Sequence, residues 1–265
     1  MKHHPILSVQ ARTVDLIVKL FNYTKYYRYM KMIQNMHFGE SCFVIGNGSS
    51  LTADDLNTLA EKNIDCFAMN RIYKIFPHTK WRPTYYVNTD WMLIRDVLEE
   101  VNKVPAKQKF FPVYHLRYYC FRKTIKKRAI INLYFRNLSF QADCSDAVYN
   151  GGTVTIASIQ LAAHMGYRNI YLLGVDHNFD NVIDENGNTV INKDVKNYFC
   201  DNYDNDLQDY VVHNLGRTTK GYYALQEFYS KHGVNIYNAT RTTKLEAFPK
   251  ISFEEAVENI INNSR

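Results

Sequence analysis

The 265-residue sequence contains no apolar run approaching the ~20 residues that a membrane-spanning helix requires. Its first residues, Met1-Lys2-His3-His4-Pro5, lack the apolar stretch and small-residue cleavage site of a secretory signal, so the expected location is the cytoplasm. The five cysteines, Cys42, Cys66, Cys120, Cys144 and Cys200, are odd in number and never form a C-x-x-C pair. Neither a disulfide framework nor a zinc site built on cysteine is indicated, and isolated thiols in or near a core are expected. Acidic residues are absent from Val101 to Ala142, although the whole chain carries a formal charge of only +6.

That acid-free span holds Lys103, Lys107, Lys109, Arg117, Arg122, Lys123, Lys126, Lys127, Arg128 and Arg136, interleaved with Tyr114, Tyr118, Tyr119, Phe121 and Tyr134. Such a surface suits an anionic partner, or stands as a solvated basic face. No nucleic-acid-binding motif accompanies it, so an anionic membrane surface ranks above nucleic acid and no nucleic-acid partner is expected. Upstream, Leu16, Leu20, Tyr23, Tyr27 and Met30 recur at helical spacing among Arg12, Lys19, Lys25, Arg28 and Lys31. Two readings stay open: a basic amphipathic helix lying in a membrane interface, or a helix whose apolar stripe packs on the domain.

With 46% hydrophobic residues the chain can bury a full core, and one domain with additions is expected. The most informative stretch is Cys42-Phe43-Val44-Ile45-Gly46-Asn47-Gly48-Ser49-Ser50-Leu51. A short apolar run, a glycine turn and a polar restart read as strand, turn and helix, with Thr52 as cap and Asp54 and Asp55 in the first turn. Glycines there let a ligand approach the backbone, and the following helix start favours an anion. The stretch is neither a dinucleotide fingerprint, since Leu51 stands where the third glycine belongs, nor a P-loop.

Further along, strands are expected at 64–69, 84–87, 109–114, 169–173 and 235–238, and helices at 91–100, 153–165, 221–232 and 253–263. The alternation predicts an α/β, Rossmann-like fold: a mostly parallel sheet flanked by helices. Ligands in such folds lie beyond the carboxyl ends of the strands, where Asn47, Asn70, Asn88 and Asp176 each stand as an apolar run stops. An asparagine there can pair with a base, a ribose or a sugar hydroxyl, or can simply serve a turn. Two acidic stretches suggest metal without supporting it. Asp204-x-Asp206 reads as a loop, and Val182-Ile183 and Thr189-Val190-Ile191 read as a hairpin around Asn186-Gly187, so no metal site is expected.

Taken in order, Gly46-Asn47-Gly48-x-Ser50-Leu51, Met69-Asn70, Gly151-Gly152-Thr153-Val154, Gly174-Val175-Asp176-His177-Asn178-Phe179, Asn238-Ala239-Thr240 and Lys244-Leu245-Glu246-x-Phe248 resemble one Rossmann-like superfamily. It contains the family-42 bacterial sialyltransferases, the motility-associated flagellin glycosylation factors and the archaeal hydroxymethyl-dihydropterin diphosphokinases. The resemblance runs from about Ser41 to Glu255 and implies a nucleotide-bound donor. Asn47, Gly48 and Ser50 then match the first loop, Asn70 and Asn88 the strand-end asparagines, Gly152 and Thr153 the second loop, and Asp176 the strand-end acid. His213 matches the histidine base, with His177 the other candidate. Tyr198 and Tyr203 are candidates for the tyrosines that hold a departing phosphate.

A sugar hydroxyl is a weak nucleophile, which is the chemical reason to look for an imidazole titrating near neutrality. The division expected is a basic helical extension over 1–40 and a Rossmann-like nucleotide-sugar-binding domain over 41–265. Within the latter fall an insertion at about 103–140 and a lid or acceptor region at about 178–220. The expected activity is a sialyltransferase-like glycosyltransferase that moves a sialic-acid-like nonulosonate from a CMP-sugar to a surface-glycan or lipid-linked acceptor. No obligatory cofactor is expected, and peripheral contact with the inner membrane face is. Two alternatives remain: a diphosphokinase using ATP and Mg²⁺ on a pterin-like alcohol, and a noncatalytic nucleotide- or glycan-binding protein.

Overall fold

The computed structural model describes residues 25–112, 128–131, 133–134, 140–183, 189–191, 195–203 and 214–263. A seven-stranded sheet organises them, built from β1 (Ser41–Ile45), β2 (Cys66–Met69), β3 (Tyr85–Val87), β4 (Gln108–Pro112), β5 (Arg128–Ile131), β8 (Asn169–Leu173) and β11 (Asn235–Asn238). Its order is β11-β8-β1-β2-β3-β4-β5, and every neighbouring pair is parallel. The chain therefore steps outward from β1 to β5 and then returns to the other side of β1 with β8. That reversal is a topological switch point between β1 and β8, whose residues run in register from Ser41↔Asn169 to Ile45↔Leu173.

Parallel strands covered on both faces need apolar residues at every position. β1 shows how they divide. Cys42 and Val44 join one core and Phe43 and Ile45 the other. The first core is closed by α1 (Lys25–Ile33), α5 (Val154–His164) and α6 (Leu215–Ser230), which contribute Met30, Ile33, Ile156, Ile159, Tyr222, Leu225 and Tyr229. The second is closed by α2 (Ala53–Glu61), a 3-10 helix at Ile72–His78, α3 (Trp91–Asp96), α4 (Leu98–Lys103) and α7 (Phe253–Asn263). The mostly parallel Rossmann-like sheet expected from the sequence is thus an all-parallel one in three layers.

Several boundaries differ from expectation for local reasons. The helix expected at 91–100 is two short ones, because Val97 leaves helical geometry at φ −127 and ψ 31. α6 begins six residues earlier than the periodicity places it, since Asn214 caps it by accepting from Arg217 N at 2.9 Å. Strand β5 was not read at all. Its run of Ala129-Ile130-Ile131 is short and follows a cluster of basic residues that masks it, and both β4 and β5 fall within the span expected to be an insertion. The expected hairpin is present, with Ile183, Val182 and Asn181 of β9 (Asn181–Ile183) antiparallel to Thr189, Val190 and Ile191 of β10 (Thr189–Ile191). Two further short strands, β6 (Leu133–Tyr134) and β7 (Val148–Tyr149), pair with each other.

The part of the N-terminal helix within the described residues packs on the domain. Met30 and Ile33 are buried, Tyr29 donates its hydroxyl to Gln108 Oε1 at 2.8 Å, and the Met30 carbonyl bonds His164 Nε2 at 2.9 Å. Leu16, Leu20 and Tyr23, and Arg117 to Lys127 of the basic segment, lie outside the described residues. No helix among the described residues is long and apolar enough to cross a membrane. Cys42, Cys66, Cys144 and Cys200 are free thiols, and Cys120 lies outside the description.

Candidate functional site at the switch point

At the carboxyl ends of β1 and β8 the two backbones approach so closely that side chains are excluded. Gly46 N donates to Leu173 O and Gly48 N to Gly174 O, each at 2.8 Å. A Cβ on Gly46 would stand 2.9 Å from the Gly174 carbonyl carbon and closer still to its oxygen. One on Gly48 would stand 2.6 and 2.7 Å from the Asp176 carboxylate oxygens. Glycine is needed here for close approach. Asp176 is 7% exposed, and its carboxylate accepts from Ser49 Oγ and Ser50 N at 3.0 Å each, and also from Ser50 Oγ. The acid therefore ties the β8 loop to the β1 loop.

From this junction a closed ring of contacts runs around the sheet edge. Asn47 Nδ2 donates to Met69 O at 3.1 Å, joining the first loop to the end of β2. Thr155 Oγ1 lies 3.5 Å from Met69 Sδ, joining β2 to the start of α5. There Gly151 and Gly152 adopt φ of +61 and +81, and Thr153 caps α5 by accepting from Thr155 N. A Cβ on Gly152 would meet Thr218 at 3.2 Å and Arg217 at 3.7 Å, so the second loop faces the first turns of α6. Tyr222 on α6 hydrogen-bonds Thr155 and Thr153, and burial pushes its phenol up to about 12. The ring closes where His177 Nε2 meets Thr219 Oγ1 at 2.7 Å.

His177 sits in the left-handed region at φ 51, and burial holds its imidazole down at about 4. The ring is therefore neutral at pH 7, edge-on to Tyr222 at 5.5 Å between centroids. Three amide oxygens around this edge, Asn47 Oδ1, Asn70 Oδ1 and Asn150 Oδ1, are buried without a hydrogen-bond partner among the described residues. For Asn47 the orientation is fixed, because its nitrogen must face the Met69 carbonyl. A buried acceptor left unmade costs ~1–3 kcal/mol, a penalty that a ligand hydroxyl or amine would relieve.

Segment 195–203 lies across the first loop. Phe199 N donates to Asn47 O at 3.2 Å, and Tyr203 stacks on Tyr198 with centroids 3.9 Å apart. The Tyr203 hydroxyl accepts from Arg71 N at 3.2 Å and its carbonyl from Arg71 Nη1. Of the residues singled out from the sequence, the structure brings Asn47, Gly48, Ser50, Asn70, Gly152, Thr153, Asp176 and His177 to one edge. Asn88 is fully buried at the end of β3, where its Oδ1 accepts from Asp90 N at 2.8 Å in a local turn. His213 lies outside the described residues.

The sequence reading missed Arg71, Asn150, Arg217 and Thr219. Arg71 and Asn150 had a signal, since each adjoins a motif already identified, Met69-Asn70 and Gly151-Gly152. Arg217 and Thr219 had none, because their place depends on α6 starting early.

A doubly wound parallel sheet with glycine loops, spare amide oxygens and a neutral imidazole at its switch point defines a Rossmann-like α/β protein, and the switch point is where such folds place ligands. Residues 16–182 match the family described as 6-hydroxymethylpterin diphosphokinase MptE-like, and the chain belongs to that MptE-like family. Among solved structures it is similar to the MAf glycosyltransferase from Magnetospirillum magneticum AMB-1, at 14% identity and a TM-score of 0.54. The match covers 87% of this chain and 38% of that one, so the chain spans well under half of that enzyme's length, and the likeness bears on the fold alone. No curated protein matches the chain.

Proposed function

We propose that the switch-point site binds a nucleotide-activated sugar and transfers the sugar to an acceptor hydroxyl, with a CMP-linked nonulosonate as donor and a surface or lipid-linked glycan as acceptor. The observation that carries this reading is His177. A neutral imidazole, held by Thr219 at the rim of a ring that also presents Asn47 and Asn70, is in the protonation state a general base requires. Its low proton affinity makes it a weak base by itself. A phosphate bound beside it would favour the imidazolium and raise that affinity as the acceptor loses its proton. Gly152, at the second loop facing α6, is the glycine at which phosphate or sugar would approach the backbone, and the spare amide oxygens suit ribose hydroxyls and an exocyclic base amine.

The family description favours a second reading, diphosphoryl transfer from ATP to a pterin-like alcohol. In that case Mg²⁺ would draw its oxygens chiefly from the ATP phosphates and water. Asp176 already accepts from Ser49 and Ser50. Donor cleavage separates the readings: purified protein is incubated with CMP-sialic acid or with ATP and Mg²⁺, and nucleotides are resolved by chromatography. Release of CMP supports glycosyl transfer, and AMP supports diphosphoryl transfer. Release of neither, together with a thermal shift on adding CMP, would make the chain a nucleotide-binding protein without transferase activity.

A further inference from the structure

At the opposite edge of the sheet, where the strands begin, His37 and Glu40 in the turn before β1 meet Asp65, which directly precedes β2. One ligand atom from each lies within 4.8 Å of the others. Hydrogen bonds from outside the cluster orient two of its members. Tyr167 Oη donates to Asp65 Oδ2 at 2.6 Å, since a carboxylate can only accept. The Tyr85 hydroxyl lies 2.7 Å from His37 Nε2 and orients the imidazole ring.

The other imidazole nitrogen, Nδ1, faces Glu40 Oε2 at 2.8 Å and Asp65 Oδ2 at 3.8 Å, so one nitrogen and two carboxylates converge on a single point. We propose that this point binds a divalent transition metal of the zinc class, held by His37 Nδ1, Glu40 and Asp65 with water completing its shell. Imidazole nitrogen with carboxylate oxygens is a donor set that Zn²⁺ accepts. Tyr85 on the far imidazole nitrogen and Tyr167 on Asp65 are the outer hydrogen bonds that orient such ligands. Bound there, the ion clasps the turn after α1 to the start of β2. It stands a strand's length, roughly 15 Å, from the switch-point site and is independent of that site's chemistry.

The test is Zn²⁺ titration of EDTA-treated full-length protein by calorimetry, with Co²⁺ absorption as a second readout. Wild type should take up one ion that gives Co²⁺ d–d bands. Glu40→Gln, in an exposed side chain, and Asp65→Asn should both lose that ion while far-UV circular dichroism shows the fold retained. Tyr85→Phe should weaken it ~10–100-fold. The proposal is overturned if wild type binds no ion, if both variants bind as wild type does, or if uptake is lost on replacing His3 and His4 instead.

Discussion

Replacing Gly46 by alanine should invert the usual sign of that substitution. Gly46 does not lie in the left-handed region, so the change would ordinarily stabilise by ~0.4–1 kcal/mol through the unfolded chain. Here the added methyl runs into the Gly174 carbonyl, which belongs to the backbone and cannot swing aside. Separating the loops stretches Gly46 N→Leu173 O and Gly48 N→Gly174 O, each worth ~0.5–1.5 kcal/mol. Overpacking adds ~1–3 kcal/mol, for a net loss of roughly 1–5 kcal/mol. Gly216 is the control: it lies in the first turn of α6, and the nearest atom to an added Cβ would be Asn214 Oδ1 at 3.9 Å. Gly216→Ala should therefore stabilise by ~0.5–1 kcal/mol. Urea unfolding followed by circular dichroism, with m-values compared, measures both. If Gly46→Ala unfolds at or above the wild-type midpoint, the close approach of the two loops described above is wrong.

Asn47→Ala should raise the dissociation constant for the bound nucleotide at least tenfold but cost under about 1 kcal/mol of stability. It removes one bond to Met69 O together with an unpartnered oxygen, and isothermal calorimetry paired with urea melts reads both quantities. His177→Asn keeps a residue that tolerates the left-handed backbone while removing the imidazole, so turnover should fall ~10²–10⁴-fold with nucleotide affinity nearly unchanged. In wild type the acidic limb of kcat/KM should lie near pH 4 and not near 6.5. Because the folded value is the lower one, wild type should also lose stability as pH falls from 6.5 towards 4, and His177→Asn should lose less. Vesicle co-sedimentation tests the membrane expectation. Anionic but not neutral vesicles should bind the protein, with each basic residue worth ~1 kcal/mol. Binding should weaken with salt and be lost on replacing Arg122, Lys123, Lys126, Lys127 and Arg128.

The central strands could be read because a parallel sheet covered on both faces leaves unbroken apolar runs, and β1, β2 and β8 carry them with clear polar ends. Edge strand β5 could not, because nothing in a short Ala-Ile-Ile run distinguishes a strand from the basic stretch preceding it. The candidate site was legible where a residue's place follows from a strand end, as at Asn47, Asn70 and Asp176. It was illegible where a residue arrives from a distant element. Arg217 reaches the second glycine loop and Thr219 reaches His177 because α6 crosses the first core, and Tyr203 covers Arg71 from well over a hundred positions away. The roles of Asp176 and Asn88 also needed coordinates, since a strand-end acid or amide looks the same in sequence whether it faces a ligand or its own loop.

That distinction separates the end of β8, where the chain's bonding capacity is used within its own loops, from the ends of β1 and β2, where it is left open. Asn238 Oδ1 accepts from Thr240 N at 3.1 Å, and its Nδ2 donates to Leu245 O at 3.2 Å, which folds the turn after β11 into shape. From that turn Thr240 Oγ1 accepts from Val175 N at 3.1 Å, Thr243 Oγ1 donates to Val175 O at 2.8 Å, and Lys244 N donates to Asp176 O at 2.8 Å. With Asp176 also held by Ser49 and Ser50, the backbone entering His177 is fixed from both sides. A non-glycine residue in the left-handed region costs ~1–2 kcal/mol, and these bonds are what offset it. The strain turns the imidazole towards Thr219 instead of along the strand, so that it is set at the rim before any ligand arrives. Asn47 and Asn70, by contrast, retain unpartnered oxygens. The β8 side of the ring holds its own groups still, and the β1–β2 side keeps its acceptors unpaired.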